Sequence, residues 1–384
     1  MLEIIVLLFL VWIIKWGQSK LYKKYGLKNL SYTCSFSTTE AAQGDEIELI
    51  EVVKNNKFLP IPWFKTELIT SRWLQFADAD STVTHNTRFV PSFFLLKGHH
   101  QVTRRWKVTC LKRGIFGFNR VVGTMSDLFG ENAISQGFPV EASITVLPLP
   151  LDFHQFLYSP RDLTGDIVVR RHLVEDPFSI SGVREYTQRD SMNRINWMAT
   201  ARQQAMMVHN YDSTSQQAVT IVLNMQSSRY ERGGSSRSSQ IEIAIRVCAT
   251  LFEESLEANI PFQFMSNTAL GEDEPDVLTE SHWGSQHVLD CQRLLSALPM
   301  RSTRFFSEFL EQEYSRIDST DIVLVSIYLS EEILEFARQK QQDGIHVKII
   351  IAAGLEANQF PDDCDVFCLY DEIDEREGAQ ADAV

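Results

Sequence analysis

The residues best placed to do chemistry in this sequence lie between positions 181 and 202. The charged side chains Arg184, Glu185, Asp190, Arg194 and Arg202 stand out there, together with Tyr186 and Trp197. Carboxylates and guanidinium groups at this density support three kinds of chemistry. They can tie the segment to a neighbouring sheet as an ion-pair network. They can form an exposed charged surface that recognises a partner, arginine being favoured at interface hot spots. They can also supply a carboxylate pair for acid–base hydrolysis, which needs a pocket around them. Asp190 precedes a short helical pattern and reads as its N-cap. Ile195 and Met198 would then share a helix face, and Trp197 reads as an anchor in the core.

Other reactive residues point to less. The six cysteines, at 34, 110, 248, 291, 364 and 368, contain no CxxC pair. Cys364 and Cys368 share a face of a terminal strand pattern, but no second pair completes a zinc site, so all six read as plain thiols. Their sparse use fits a reducing compartment. His99 and His100 are adjacent and read as surface residues. Gly233-Gly234, among serines, reads as a flexible loop and not a phosphate cradle, because no Gly-Lys-Ser or Gly-Lys-Thr follows. Phosphate-loop, GxSxG, HExxH and GxGxxG patterns are absent from the sequence. No cofactor and no enzymatic activity are expected. With a formal net charge of −14 and no basic stripe, nucleic acid is not an expected partner.

The elements that must position these residues fall into blocks. Residues 1–24 read as a membrane anchor. Ile4 to Ile14 is unbroken apolar sequence, Lys15, Lys20, Lys23 and Lys24 follow it, and no small-residue cleavage site appears. Sixteen helical residues cover about 24 Å against a hydrocarbon core of about 30 Å, a gap that snorkelling of Lys15 and local thinning would close. Positive charge stays in the cytoplasm, which places a single-pass chain in the inner or plasma membrane with its body inside. Residues 30–150 read as a β-rich domain resembling an antiparallel sandwich. Glu46 to Val52 mostly alternates acid with apolar, and Trp106, Val108 and Cys110 share one strand face. Residues 151–214 read as a linker carrying the charged motif. Residues 215–372 read as an α/β domain with a mostly parallel sheet, opening on Ala218 to Asn224 and a helix stripe of Ile241, Ala244, Ile245, Cys248, Leu251 and Phe252. Ser239 to Glu242 reads as its capping box. Asn259 and Pro261 end the helix. Residues 373–384 read as an acidic tail.

Ser181-Gly182-Val183-Arg184-Glu185-Tyr186 and its continuation to Arg202 resemble the signature of the bacterial family called domain of unknown function 58, roughly G-x-R-E-Y-x-x-G-D-x-x-R-x-I-x-W-x-x-[ST]-A-R. Two positions depart: Arg189 stands where the family has Gly, and Asn193 where it has Arg, with Arg194 adjacent. Asn55 to Pro60, Lys112 to Phe116 and Ser126 to Gly130 resemble the family's N-terminal β region. The resemblance implies an α+β multidomain chain: a membrane helix, a β region and a von Willebrand factor A-like domain. It also implies pairing with a MoxR-type AAA+ ATPase. The function expected is a membrane-tethered scaffold or adaptor in envelope processes, bound to that ATPase and to membrane proteins. The alternative is a hydrolase using the charged motif around Arg184 to Arg202. Metal-binding A-domains carry Asp-x-Ser-x-Ser after the first strand. Here Asn224, Gln226 and Ser228 take those places, so a hard cation lacks its carboxylate and a weak or absent metal site is expected.

Overall fold

A computed structural model describes residues 2–77, 80–130, 132–151, 157–158, 175–187, 195–213, 218–234, 236–317, 319–353, 361 and 363–369. The chain divides into two compact units: Met1–Pro150 with Gln292–Leu298, and Leu151–Cys291 with Pro299–Val384.

The first unit begins with helix α1 (Leu2–Tyr25) and continues through ten strands: β1 (Leu30–Phe36), β2 (Glu40–Ala42), β3 (Glu46–Asn55), β4 (Ile61–Ser71), β5 (Leu74–Phe76), β6 (Thr82–Thr84), β7 (Thr87–Leu96), β8 (Gln101–Cys110), β9 (Gly114–Ser126) and β10 (Ala133–Leu147). They form a four-stranded sheet, β1-β3-β8-β5, and a six-stranded sheet, β2-β10-β9-β4-β7-β6. Every pairing is antiparallel except β2 with β10, which is parallel. Alternation along each strand turns Leu49, Val53, Val108 and Cys110 of one sheet, and Phe64, Leu68, Val90 and Ile144 of the other, into a common core.

One residue breaks the expected alternation. Glu46 and Glu48 take outward positions on β3, but Glu51, three residues on from Glu48, falls on the inner face and is fully buried. Its carboxylate accepts from Tyr32 Oη at 2.6 Å, Trp106 Nε1 at 2.6 Å, Ser92 Oγ at 2.7 Å and Thr66 Oγ1 at 3.4 Å. Tyr32 and Trp106 belong to the four-stranded sheet, Thr66 and Ser92 to the six-stranded one, so one buried charge ties both layers. Burial, reinforced by the Glu51 charge, pushes the Tyr32 hydroxyl far above its usual range and the Cys34 thiol up to about 12.

Among the described residues no helix is long and apolar enough to cross a membrane. This does not support the expected membrane-spanning segment. Helix α1 has 24 residues, but its apolar sequence stops at Trp16, and the remainder is polar and lysine-rich. The apolar portion is exposed all round, with Ile4, Leu7, Phe9 and Leu10 each more than half accessible. At its other end, Tyr22 is buried and donates to Pro60 O at 3.0 Å.

The second unit holds β11 (Leu157–Tyr158), β12 (Glu175–Glu185), α2 (Trp197–Gln203), β13 (Met207–Ser213), β14 (Val219–Leu223), β15 (Gly233–Gly234), α3 (Ser238–Glu257), β16 (Phe262–Ser266), β17 (Val277–Leu278), the first part of α4 (Ser285–Ala297, which from Gln292 on falls in the first unit), β18 (Arg301–Ser302), α5 (Phe306–Glu313), β19 (Asp321–Ser326), α6 (Glu331–Gln342), β20 (His346–Ile351) and β21 (Asp365–Leu369). Its sheet runs β11-β21-β20-β19-β14-β16-β17. The five central strands are parallel, and the two edge strands are antiparallel. Every residue of β14 and β19 is buried, as a sheet covered on both faces requires. On one face Val222, Leu324 and Ile349 pack with Phe309, Phe336 and Ala337 of α5 and α6. On the other, Phe252 of α3 stacks on Phe262 and meets Phe264 edge-on.

All six residues of the expected α3 stripe are buried. The expected capping box is not formed. Helix α3 starts at Ser238, so Ser239 lies inside the first turn. Arg237 occupies the cap position without a side-chain capping hydrogen bond, and its backbone N–H donates to Ser227 Oγ at 3.3 Å. Asn259 sits at φ 59°, in the left-handed region just past the helix end. Gly233-Gly234 is likewise not a free loop: it pairs antiparallel with Arg301–Ser302. The acidic tail, 373–384, lies outside the described residues.

Candidate functional site

The charged motif begins on a two-stranded ribbon. Arg184 pairs with Val208 and Glu185 with Met207 in the β12–β13 ladder. Ile195 bridges to Val208, and Asn196 N donates to Met207 O at 2.8 Å, so the motif returns to β13 before α2 begins. Asn196 is the N-cap of α2, its Oδ1 accepting from Ala199 N at 3.0 Å. Thr200 Oγ1 accepts from Met207 N at 3.0 Å and locks the helix onto the strand.

Three expectations are corrected here. The cap of α2 is Asn196, not Asp190, because the helix starts later than the sequence pattern suggests. Ile195 and Met198 do not share a helix face: Ile195 is a buried bridge residue and Met198 is 71% exposed. Trp197 is also 71% exposed and anchors no core, as α2 buries none of its residues. Glu185 and Arg202 are exposed and Tyr186 is half-buried. Asp190, Arg194 and the Arg184 side chain lie outside the described residues.

A second constellation gathers at the carboxyl ends of β14, β16 and β19, where the chain order of strands reverses on either side of β14 and ligands of open parallel sheets bind. Asn224 Nδ2 donates to Ser326 Oγ at 3.0 Å, and Asn224 Oδ1 accepts from Gln226 N at 3.0 Å and Asn267 Nδ2 at 3.4 Å. Asn267 Oδ1 accepts from Met225 N at 2.8 Å. Gln226 Nε2 donates to Glu231 O at 2.7 Å, and its Oε1 accepts from Phe306 N at 2.5 Å and Tyr328 Oη at 3.3 Å. Asn224, Gln226, Asn267 and Ser326 are all buried, and burial is the main cause that raises the Tyr328 hydroxyl above its usual range. This is a neutral cluster in which amides and hydroxyls satisfy one another. It offers a hard cation no carboxylate. Among the described residues no group of three or more His, Cys, Asp or Glu is arranged to hold a metal.

Over this cluster runs the Ser228–Arg232 loop. Tyr230 is 84% exposed. Arg229 pairs with Glu332 at the start of α6, and Arg232 donates to Thr303 O at 2.9 Å with its guanidinium over the Phe305 ring. Below it, Arg304 pairs with Asp276 and, at 3.0 Å, with Glu313, both carboxylates being nearly buried. Sequence reasoning missed Asn267, Asp276 and Arg304. A usable signal was present for the first, because Ser266-Asn267 ends an apolar run as Asn224 and Ser326 do. None marked the Arg304 pairs, whose partners are nine and 28 residues away.

Residues 182–356 match the family described as "Protein of unknown function DUF58", which supports the family resemblance of the motif. No curated protein matches the chain. Among solved structures, a non-cellulosomal cohesin from Archaeoglobus fulgidus is 15% identical, with 30% of this chain and 91% of that one covered, at a TM-score of 0.23. A cohesin module from a Clostridium perfringens family 33 glycoside hydrolase is 8% identical over 29% of this chain and 97% of that one, at 0.20. The major pilin SpaD from Corynebacterium diphtheriae is 11% identical over 30% and 34%, at 0.22. With TM-scores this low, no property of those proteins transfers to this chain.

Proposed function

We propose that this chain is a membrane-tethered adaptor or scaffold whose second unit, a von Willebrand factor A-like domain, binds a protein partner without a metal ion. The observation that carries this reading is the top of the parallel sheet. The polar groups where such sheets usually bind ligands are bonded to one another, while the loop above them presents Tyr230 with Arg229 and Arg232 to solvent. Tyrosine and arginine are the residue types that carry binding energy at protein interfaces. A MoxR-type AAA+ ATPase is the partner the family resemblance favours. The exposed Trp197 and Arg202 of α2 are a second surface for it or for a membrane protein.

The anchor is the apolar portion of α1. A helix apolar on every side belongs inside hydrocarbon, whereas one lying flat on a surface needs a polar face. The lysines that follow keep the body at the cytoplasmic side of the inner or plasma membrane. Affinity capture from native membranes, read by mass spectrometry, tests the adaptor reading. Recovery of an AAA+ ATPase that is lost in Tyr230→Ala and Arg232→Ala supports it. Recovery of no specific partner, or of one indifferent to both changes and to Trp197→Ala, overturns it. Protease added to intact spheroplasts should leave the body whole, and its digestion there would reverse the orientation.

A further inference from the structure

The turn between β9 and β10 is held against α1 at the point where that helix changes character. Leu128 N donates to Gln18 Oε1 at 3.3 Å, and Asn132 Nδ2 donates to Ser19 Oγ at 3.0 Å. The turn closes on itself through Gly130 N to Asp127 O at 3.1 Å, with Gly130 at φ +74°, a conformation that favours glycine. What it presents is apolar: Leu128 is 57% and Phe129 52% exposed, on a tight turn that ordinarily carries polar residues. Lys15 Nζ lies over the Phe129 ring, 5.3 Å from its centroid.

Lys15 fixes the depth. It is the first cation after the apolar run, and Lys20, stacked 3.9 Å over the Trp16 ring, lies five residues further on. Lysine ammonium groups with indole rings between them mark the layer where acyl chains meet headgroups. The charge there is local and positive, Lys15, Lys20, Lys23, Lys24 and Lys28 within one stretch of a chain whose net charge is −14. Such a cluster complements an anionic lipid surface.

We propose that the Asp127–Gly130 turn is a second lipid contact: Leu128 and Phe129 enter the headgroup boundary of an anionic bilayer beside α1. This inference rests on the reading of α1 as the anchor. Its apolar side chains lie at the level where the apolar run of the helix ends, Phe129 under Lys15 and the Leu128 backbone bonded to Gln18, so burying the helix to that level places the turn at the lipid surface. The turn thereby sets which side of the β unit faces the membrane.

The test uses the full chain in vesicles of phosphatidylcholine with phosphatidylglycerol. The six native cysteines are buried, so a fluorescent, polarity-sensitive label can be placed singly, by Leu128→Cys in one sample and Leu8→Cys in another. Lipids carrying a nitroxide near the headgroup then act as quencher. Both labels should shift to the blue on reconstitution and both should be quenched. Quenching at position 8 with none at 128 overturns the inference and leaves the anchor standing. Quenching at 128 alone supports the turn contact and removes the anchor. Quenching at neither position overturns both.

Discussion

The side-chain amide of Asn224 donates to Ser326 Oγ at 3.0 Å, joining the ends of β14 and β19 across the boundary where the strand order reverses. Ser326 Oγ in turn donates to Tyr328 O at 2.8 Å, so the position where a cation-binding sheet keeps an open carboxylate is closed by neutral hydrogen bonds. Binding to the native state raises stability by mass action. Millimolar magnesium or manganese should therefore leave the melting temperature of the wild-type chain unchanged. Asn224→Asp loses the donor to Ser326 and should cost about 1–3 kcal/mol, with part regained on adding magnesium. A magnesium-dependent rise in the wild type, lost in Ser228→Ala, would falsify the cation-free reading.

Glu51 should be among the most sensitive positions of the β unit. Glu51→Ala leaves the Tyr32, Ser92 and Trp106 donors facing an apolar gap, each costing about 1–3 kcal/mol if it finds no other acceptor. Glu51→Gln keeps the shape but turns one acceptor into a donor that faces other donors, so it should also destabilise, though less. Urea denaturation of the full chain measures both, and a loss in Glu51→Ala no larger than that of an exposed Glu48→Ala would show that the buried carboxylate ties nothing.

Arg304 is the shared cation of two nearly buried carboxylates, Asp276 and Glu313. Arg304→Ala leaves Asp276 with the Thr303 hydroxyl and Glu313 with the exposed Arg316, so the loss should fall toward the lower end of the about 3–5 kcal/mol that removing one partner from a buried ion pair costs. Replacing Asp276 by Asn in the same chain should recover part of that loss. Thermal melts of the two variants decide it, and additive losses would mean the groups are not coupled.

Trp197 and Arg202 should separate stability from binding. Both are exposed, so Trp197→Ala and Arg202→Ala should each change stability by no more than about 0.5 kcal/mol. Partner recovery should fall in at least one of them. Severe destabilisation in both would return the motif to a purely structural role.

His287 gives the second unit a pH response. Burial is the leading cause that holds its pKa below the usual 6.5, while its Nε2 lies 3.0 Å from Phe262 O. The unfolded chain then takes up the proton first. The contribution is full above the unfolded value and is lost as pH falls through it toward the lower folded one. The melting temperature should fall between about pH 7.5 and about pH 5.5, and His287→Gln should flatten that fall. An unchanged slope in the variant would place the response elsewhere.

The legible parts of the fold were those set by local period. A nearly continuous apolar run marked β14, and the 3.6-residue stripe marked α3, because burial on two faces or on one leaves that trace in the sequence. The illegible parts were set by partners distant in sequence. Glu51 looked like one more outward acid on an alternating strand, and its inward position follows from its three-residue spacing to Glu48. An indole ring points to a core position for Trp197, yet α2 meets β13 through the Thr200 and Asn196 bonds to Met207, and Trp197 stays exposed. At the candidate site, the substitutions at 224 and 226 were readable as losses of a metal ligand. What replaced them was not, since Asn267 lies just past the end of another strand, β16.

Where α1 meets β1, the chain leaves no slack. Gly26 N bonds to Tyr22 O at 2.8 Å, and a Cβ at Gly26 would lie 2.4 Å from that oxygen and 2.5 Å from the Met125 side chain. Tyr22 is buried among the β core, and Leu27 packs against it. The helix is thus a rigid stalk fused to its head rather than a leash with a swivel. A pull or twist applied to the β unit would reach the apolar end of α1 as torque, and tilting of the stalk would turn the head through the same angle.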